Sequence, residues 1–346
     1  MNKDEIVEKL KSASVYKGVE HNDETYYGVG DLDNIVASNS FFSSINPDEG
    51  GSRKKAELFF TEKQEETSRR GIEKGKTLHK WIKNNRDFTV FEGKAPSEPV
   101  AGIMQAVFDS GVAAFAAQVD DEQLFKMEVI RATRAAAWHN DWGDEAVYKN
   151  ILKEGEDYLK FLAENVGKVI LKKDVMESLE GMQGSIHDSR YSELLLDRNP
   201  YVLKEIPLFF EFEGLPMKIL IDNLEIEDNR LILTDLKSTA FGASSYMGTQ
   251  RIGVRADGSV GRVYHDGSFH RFRTYRQLGL YAYGLQQITG LPVEAQIAAV
   301  ESKAPYDFEM HPVTPVYLAY GVTEFKTCAQ LTFEWMVERN KRRDDY

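Results

Sequence analysis

Apolar and polar residues alternate most regularly between Lys218 and Ser238, in the stretch KILIDNLEIEDNRLILTDLKS. Two apolar-rich runs flank Glu227-Asp228-Asn229-Arg230. Asp and Asn accept turn dihedrals that interrupt strands, so the stretch predicts a β-hairpin. With the turn centred between Asp228 and Asn229, Asp222 falls directly opposite Asp235. Cross-strand partners share a face, and the period of two adds Lys237, Leu220, Leu224, Leu231 and Leu233 to that face. Two carboxylates and an ammonium thus emerge from an otherwise apolar surface. Like charges directly opposite each other destabilise a hairpin. A divalent cation relieves them, and hard oxygen ligands suit Mg²⁺ or Mn²⁺. An exposed hairpin with scattered charges is the plainer alternative.

Elsewhere the pattern is mixed. Residues 1–37 form an N-terminal segment, with a short amphipathic helix around Ile6 and Leu10 and then a Gly- and Asp-rich stretch. Ser38-Asn39-Ser40 ahead of Phe41-Phe42 predicts a capped short helix, which Pro47-Asp48-Glu49-Gly50-Gly51 ends. Residues 54–86 are mostly helical in spacing, with Gly75, Leu78, His79 and Ile82 on one side. A small residue one turn before His79 permits close approach to another element. A lone His on an apolar helix face is, by itself, more often a core residue than a ligand. From Val100 to Leu196 only helical spacing is visible, and His139 and His187 read as structural.

Strand patterns gather in the second half. Tyr201 to Phe212 is a strand in which Glu205 stands among apolar neighbours, either an acid at a site or an edge-strand surface charge. After the hairpin comes a small-residue loop at 238–245, then an Arg-rich hairpin at about 250–272 with turn signals at Asp257-Gly258 and Asp266-Gly267. A helix over 273–289 stops at Gly290-Leu291-Pro292 and carries Gln277 and Tyr281 on one face. Residues 295–301 read as a buried strand, 307–311 as an edge strand because Pro312 follows, and 318–342 as a final helix. With no repeat or low-complexity linker, the pattern predicts one α+β domain over 38–346 with a large helical insertion at about 100–196.

Composition narrows the classes. At 42% hydrophobic and 28% charged, the 346 residues describe a soluble globular chain with ample core. There is no membrane-length apolar run and no apolar signal-peptide core, so cytoplasmic residence is the expectation. Cys328 is the one cysteine, which excludes an internal disulfide and a four-cysteine zinc or iron–sulfur site. The net charge of −12 opposes non-specific nucleic-acid binding by the whole surface. Two basic segments, 53–86 and 250–276, could still line one phosphate-binding groove. In the second lie Arg251, Arg255, Arg262, Arg271, Arg273 and Arg276. They are candidates for DNA contact, with an oligomer contact or a solvated loop as the rival for the 250–272 hairpin.

The order of these pieces resembles the PD-(D/E)XK nuclease superfamily, in particular the branch holding the RecB nuclease domain and RecE, exonuclease VIII. The matching pieces are Gly75 to His79, Ile221-Asp222, Asp235-Leu236-Lys237-Ser238-Thr239 and Gln277 to Tyr281. Weaker likenesses are Ser38-Asn39-Ser40-Phe41-Phe42 at the opening, and Glu301 to Tyr306 followed by a late helix, which is similar to the RecE-like tail of phage recombination exonucleases. Asn223 after Asp222 departs from the RecB pattern, and so does the Arg-rich insertion.

The resemblance implies a restriction-endonuclease-like core, a central mixed β-sheet flanked by helices. It implies that Asp222 and Asp235 hold Mg²⁺ or Mn²⁺, completed by the Leu236 carbonyl and His79 Nε2. Lys237 would orient or deprotonate water, Gln277 and Tyr281 would contact DNA backbone or brace the site, and Glu205 would be a further acid there or only sheet structure. The implied activity is a metal-dependent exonuclease acting 5′→3′ on linear duplex DNA in phage-type recombination. It would work in the cytoplasm of a bacterial host, with a single-strand annealing protein as partner and a homo-oligomer as assembly. A structure-specific or single-strand nuclease and a non-catalytic DNA-binding scaffold are the alternatives. The single cysteine excludes the iron–sulfur relatives.

Overall fold

The computed structural model describes residues 2–22, 25–31, 34–61, 69–82, 88–196, 200–240, 242–254 and 259–344. The chain forms two compact units, one from residues 1–84 and 178–346, the other from 85–177. The helical insertion expected at 100–196 is therefore shifted towards the N-terminus. The smaller unit packs helices Glu98–Asp109, Glu122–Ala135 and Asp144–Glu164 around Ile103, Met104, Val129 and Ile151. It also holds a parallel strand pair, Phe88–Val90 with Val169–Leu171, the second strand lying where only helix was expected. A Val-Ile-Leu run is too short to show a period, so its β-branched residues were the only signal.

The larger unit is built on a five-stranded mixed sheet. Its strands are β1 (Val202–Phe212), β2 (Leu215–Ile226), β3 (Leu231–Thr239), β4 (Val293–Glu301) and β5 (Phe308–Val313). The spatial order is β5-β4-β3-β2-β1, with β3 and β4 parallel and the other neighbours antiparallel. Helices α1 (Lys3–Ala13), α2 (Asn39–Ile45), α3 (Arg69–Ile82), α4 (Thr274–Thr289) and α5 (Pro315–Asp344) belong to the same unit. The Ser38 hydroxyl caps α2 by accepting from the Phe41 N–H at 3.3 Å. Ile6 and Leu10 of α1 enter the main core with Phe41, Phe42, Leu278, Leu285, Phe325 and Trp335. Ile35 and Ala37 join them, so the segment expected over residues 1–37 contributes side chains to this core. Among the described residues no single helix is long and apolar enough to cross a membrane.

β2 begins earlier than its alternation suggested, because Glu213 and Gly214 close a tight turn with φ of 49° and 80°. A glycine meets that second angle without a Cβ penalty. Pro216 lies inside β2, and its carbonyl accepts from Ala37 at 2.8 Å. The β2–β3 register is the expected one, with Asn223 opposite Thr234 and Leu224 opposite Leu233. The ladder stops there, one pair short of Asp222 and Asp235. Beyond that level Ala37 bridges Met217 in parallel along β2. On the other side Lys204 pairs with Asn223 and Ile206 with Ile221, while Glu205, at φ 49°, makes no ladder pair with Asp222.

These breaks shift which residues face the core. Along β2 the main core takes Met217, Ile219 and Ile221, then Leu224 and Ile226. Along β1 it takes Phe212, Phe210, Leu208 and Ile206, then Leu203 and Tyr201. In both strands the two-residue period slips by one at the carboxylate. Leu220 accordingly packs with Tyr26, Val29, Val36 and Phe209, not with Leu224, Leu231 and Leu233 as strict alternation required. Glu205, Asp222 and Asp235 occupy one transverse row of the sheet, at the point where β2 and β3 part.

Candidate metal centre

Four elements converge on that row. β1 and β2 bring Glu205 and Asp222, β3 brings Asp235 and Lys237, and α3 brings His79. α3 can lie close to β3 because Gly75 has no side chain; a Cβ there would sit 3.0 Å from the Ser238 Oγ. Leu78, Trp81 and Ile82 bury the rest of that helix face, with Trp81 edge-on to His187 at 5.7 Å.

His79 Nδ1 lies 2.8 Å from Glu205 Oε1 and 3.5 Å from Asp222 Oδ1. Among the described residues His79, Glu205 and Asp222 form a group whose ligand atoms all lie within 4.8 Å of one another. Glu205, which the sequence left between an acid at the site and sheet structure, joins His79 and Asp222 in this group, and the imidazole nitrogen nearest the two carboxylates is Nδ1, where Nε2 was expected. Leu236 takes part through its N–H, which donates to Asp222 Oδ2 at 2.8 Å where a ladder bond would otherwise run.

Asp235 is fully buried at its side chain. Its Oδ1 accepts from Lys237 Nζ at 2.8 Å and from Gln277 Nε2 at 3.3 Å, while Oδ2 has no partner. Buried carboxylate oxygens are ordinarily satisfied, so an orphan one beside two further carboxylates marks room for a cation. Gln277 Nε2 also donates to the Tyr281 hydroxyl at 2.8 Å. Gln277 thus links Asp235 to Tyr281, which is 8% exposed.

The protonation states follow from crowding. Burial works to lower the His79 pKa, but Asp222 and Glu205 overcome it and lift it to about 9. Burial raises Asp235 to about 6, aided by Asp222 and opposed by Lys237. Burial likewise acts to lower Lys237, yet Asp235 and Asp222 hold it above its ordinary range, so it is an ammonium at neutral pH.

This has a measurable consequence for the metal-free protein. A histidine whose folded value exceeds its ordinary 6.5 stabilises the fold below that pH, and the benefit is lost as pH rises to about 9. Asp235, raised from 3.8 to about 6, loses stability in the same direction over its own lower window. In EDTA the melting temperature should fall between pH 6.5 and about 9, and His79→Gln should flatten that fall. A decline equally steep in His79→Gln would assign it to other groups.

The arginines sort differently from the expectation that all six contact DNA. Arg255 lies outside the described residues, and of Arg251 and Arg262 only the backbone is described, in the hairpin of Thr249–Val254 with Val260–His265. Arg271 is exposed. Arg273 pairs with Glu324 at 3.2 Å. Arg276 is 1% exposed; both terminal guanidinium nitrogens donate to Glu49, one of them also to Ser43 at 2.7 Å, and Nε donates to Asn39 at 3.3 Å. It fastens α4 to α2 and cannot reach a DNA backbone.

The donor set fits a divalent metal. Two carboxylates, an imidazole and an orphan buried carboxylate oxygen are oxygen-rich, as hard cations require. No protein-family model and no curated protein matches this chain. Among solved structures, the crystal structure named "Putative exonuclease" from Eubacterium rectale is similar over 94% of this chain and 87% of its own, with 12% sequence identity and a TM-score of 0.51. At that identity the likeness is one of fold.

Proposed function

We propose that this chain is a metal-dependent DNA nuclease of the PD-(D/E)XK kind, an exonuclease working 5′→3′ from the ends of linear duplex. The observation that carries the reading is the row of three carboxylates with His79 on one side and Lys237 on the other. A scaffold has no use for three acids gathered at a break in its sheet, where they cost stability. The exonuclease name of the structural neighbour and the order of the motifs support the finer reading.

Mg²⁺ or Mn²⁺, when bound, lowers the pKa of water and polarises a phosphate oxygen. The side chains that would hold it are His79, Glu205 and Asp222, and the unpartnered Oδ2 of Asp235 could serve as a further oxygen ligand. Asp222 is kept in place by the Leu236 N–H, so its remaining oxygen keeps a fixed direction. Lys237, an ammonium, donates rather than accepts, and stabilises the negative charge that develops on the scissile phosphate. Asp235 aims that ammonium, and Gln277 with Tyr281 aims Asp235. This chain of contacts makes Gln277 and Tyr281 positioning residues.

Incubation of end-labelled linear duplex beside a covalently closed circle, in Mg²⁺, Mn²⁺ or EDTA, tests the proposal. The expected result is metal-dependent release of nucleotides from the linear form only, with a 5′ label lost first. Cleavage of the circle would make the enzyme an endonuclease. Intact DNA of both forms in every metal would remove the nuclease reading.

A further inference from the structure

Residues 268–276, SFHRFRTYR, interleave rings and cations. The fold divides them sharply. Phe269 is fully buried, edge-on to Tyr275 at 5.7 Å and to Tyr317 at 5.1 Å. Thr274 is buried too, its Oγ1 3.1 Å from the hydroxyl of the buried Tyr246. Arg276 is locked to Glu49. Between these anchors Phe272 is 66% exposed, and Arg271 lies outside as well, its guanidinium 5.5 Å from the Phe272 ring centroid.

We propose that Phe272, backed by Arg271, is a stacking platform for an unpaired nucleobase of the strand entering the metal centre. The inference rests on the nuclease reading above and adds to it the form of nucleic acid that is gripped. A single exposed apolar side chain is ordinary, but this one is held at a fixed place. The short helix Ser268–Arg271 precedes it, and Arg273, in the left-handed region at φ 49°, turns the chain directly into α4. Phe272 and Gln277 are five residues apart, and even with two of those steps fully extended and three helical their Cα atoms lie within about 12 Å. At ~3.4 Å per stacked base, that is a reach of about three nucleotides. Every base has a π-face, so an aromatic ring grips a single strand without reading its sequence, and an arginine adds cation–π and phosphate contact. A paired base hides its faces in the duplex stack. The occupant is thus an unpaired end, and Arg271 supplies the complementary charge for its phosphate.

The test uses full-length Asp235→Asn protein in Mg²⁺, so that DNA is bound without being consumed, with an oligo-dT strand carrying one 2-aminopurine as probe. Adding Phe272→Ala should weaken binding about tenfold to a hundredfold. The dependence on salt should stay unchanged and the change in 2-aminopurine fluorescence on binding should vanish. Phe272→Trp should restore both. Arg271→Gln should flatten the salt dependence by about 0.7 of a logarithmic unit per logarithmic unit of salt. Unaltered melting temperatures would confirm that an exposed residue has been changed. Oligonucleotide binding by Phe272→Ala equal to that of its parent overturns the platform, including where the oligomeric mass shifts and Phe272 proves to be a protein contact. If wild-type protein cleaves duplex while Phe272→Ala binds normally, the nuclease reading survives and the platform alone falls. Failure of the parent to bind the strand at all, with no cleavage by wild type, removes both.

Discussion

Asp235→Asn should lose at least ~100-fold of metal-dependent DNA hydrolysis, the scale set by removing one electrostatic group from a transition state. The same variant should fold as well as wild type in EDTA, or better. Asp235 is buried with one oxygen unsatisfied, and its pKa already rises to about 6 because the charged form is unfavourable there. An amide of nearly the same shape removes that charge without leaving a cavity. Activity lost and stability kept is a combination that a structural carboxylate would not give. Lys237→Met should cost activity on a similar scale, because Lys237 is the one ammonium bonded to Asp235 among the described residues. Wild-type rates in either variant would contradict the mechanism.

The largest effect on stability should come from Arg276. Its guanidinium is buried and bonded to Glu49, Ser43 and Asn39, and Glu49 is held below its usual range by that contact despite its own burial. Breaking such a pair by removing one partner leaves a desolvated charge, at a cost of about 3–5 kcal/mol. Arg276→Leu should therefore lower the urea midpoint strongly, and Glu49→Gln less so, since an amide can still accept. If Arg276 were a DNA contact, Arg276→Leu would leave unfolding alone and flatten the salt dependence of binding. Equilibrium unfolding of the two variants separates these outcomes.

The sequence carried part of this site and concealed the rest for identifiable reasons. The register that brings Asp222 and Asp235 to one level was legible, because the alternation on either side of Glu227 to Arg230 favours the pairing of Leu224 with Leu233, although the ladder itself ends at Asn223 and Thr234. Gly75 one turn before His79 pointed to a close approach, which Ser238 provides. Glu205 could not be placed from spacing. Its left-handed φ breaks the two-residue period on which the reading of β1 depended, and the same slip moved Leu220 to another cluster. A positive φ on a non-glycine residue leaves no mark in sequence, and such residues gather at functional sites. Arg276 misled for the opposite reason. It sits in a run of arginines, yet its helical phase turns it inward while Arg271 faces out. Charge counted along a chain says nothing about which side of a helix carries it.

If His79, Glu205 and Asp222 hold a divalent metal, titration of the protein with Mn²⁺ followed by electron paramagnetic resonance will report it. Wild type should bind Mn²⁺, and Asp222→Asn should abolish binding because Asp222 lies at the centre of the row. Glu205→Gln and His79→Ala should each weaken it by about tenfold or more, since even outer-shell losses cost that much. Equal Mn²⁺ affinity in wild type and Asp222→Asn, or no binding by either, would contradict that assignment.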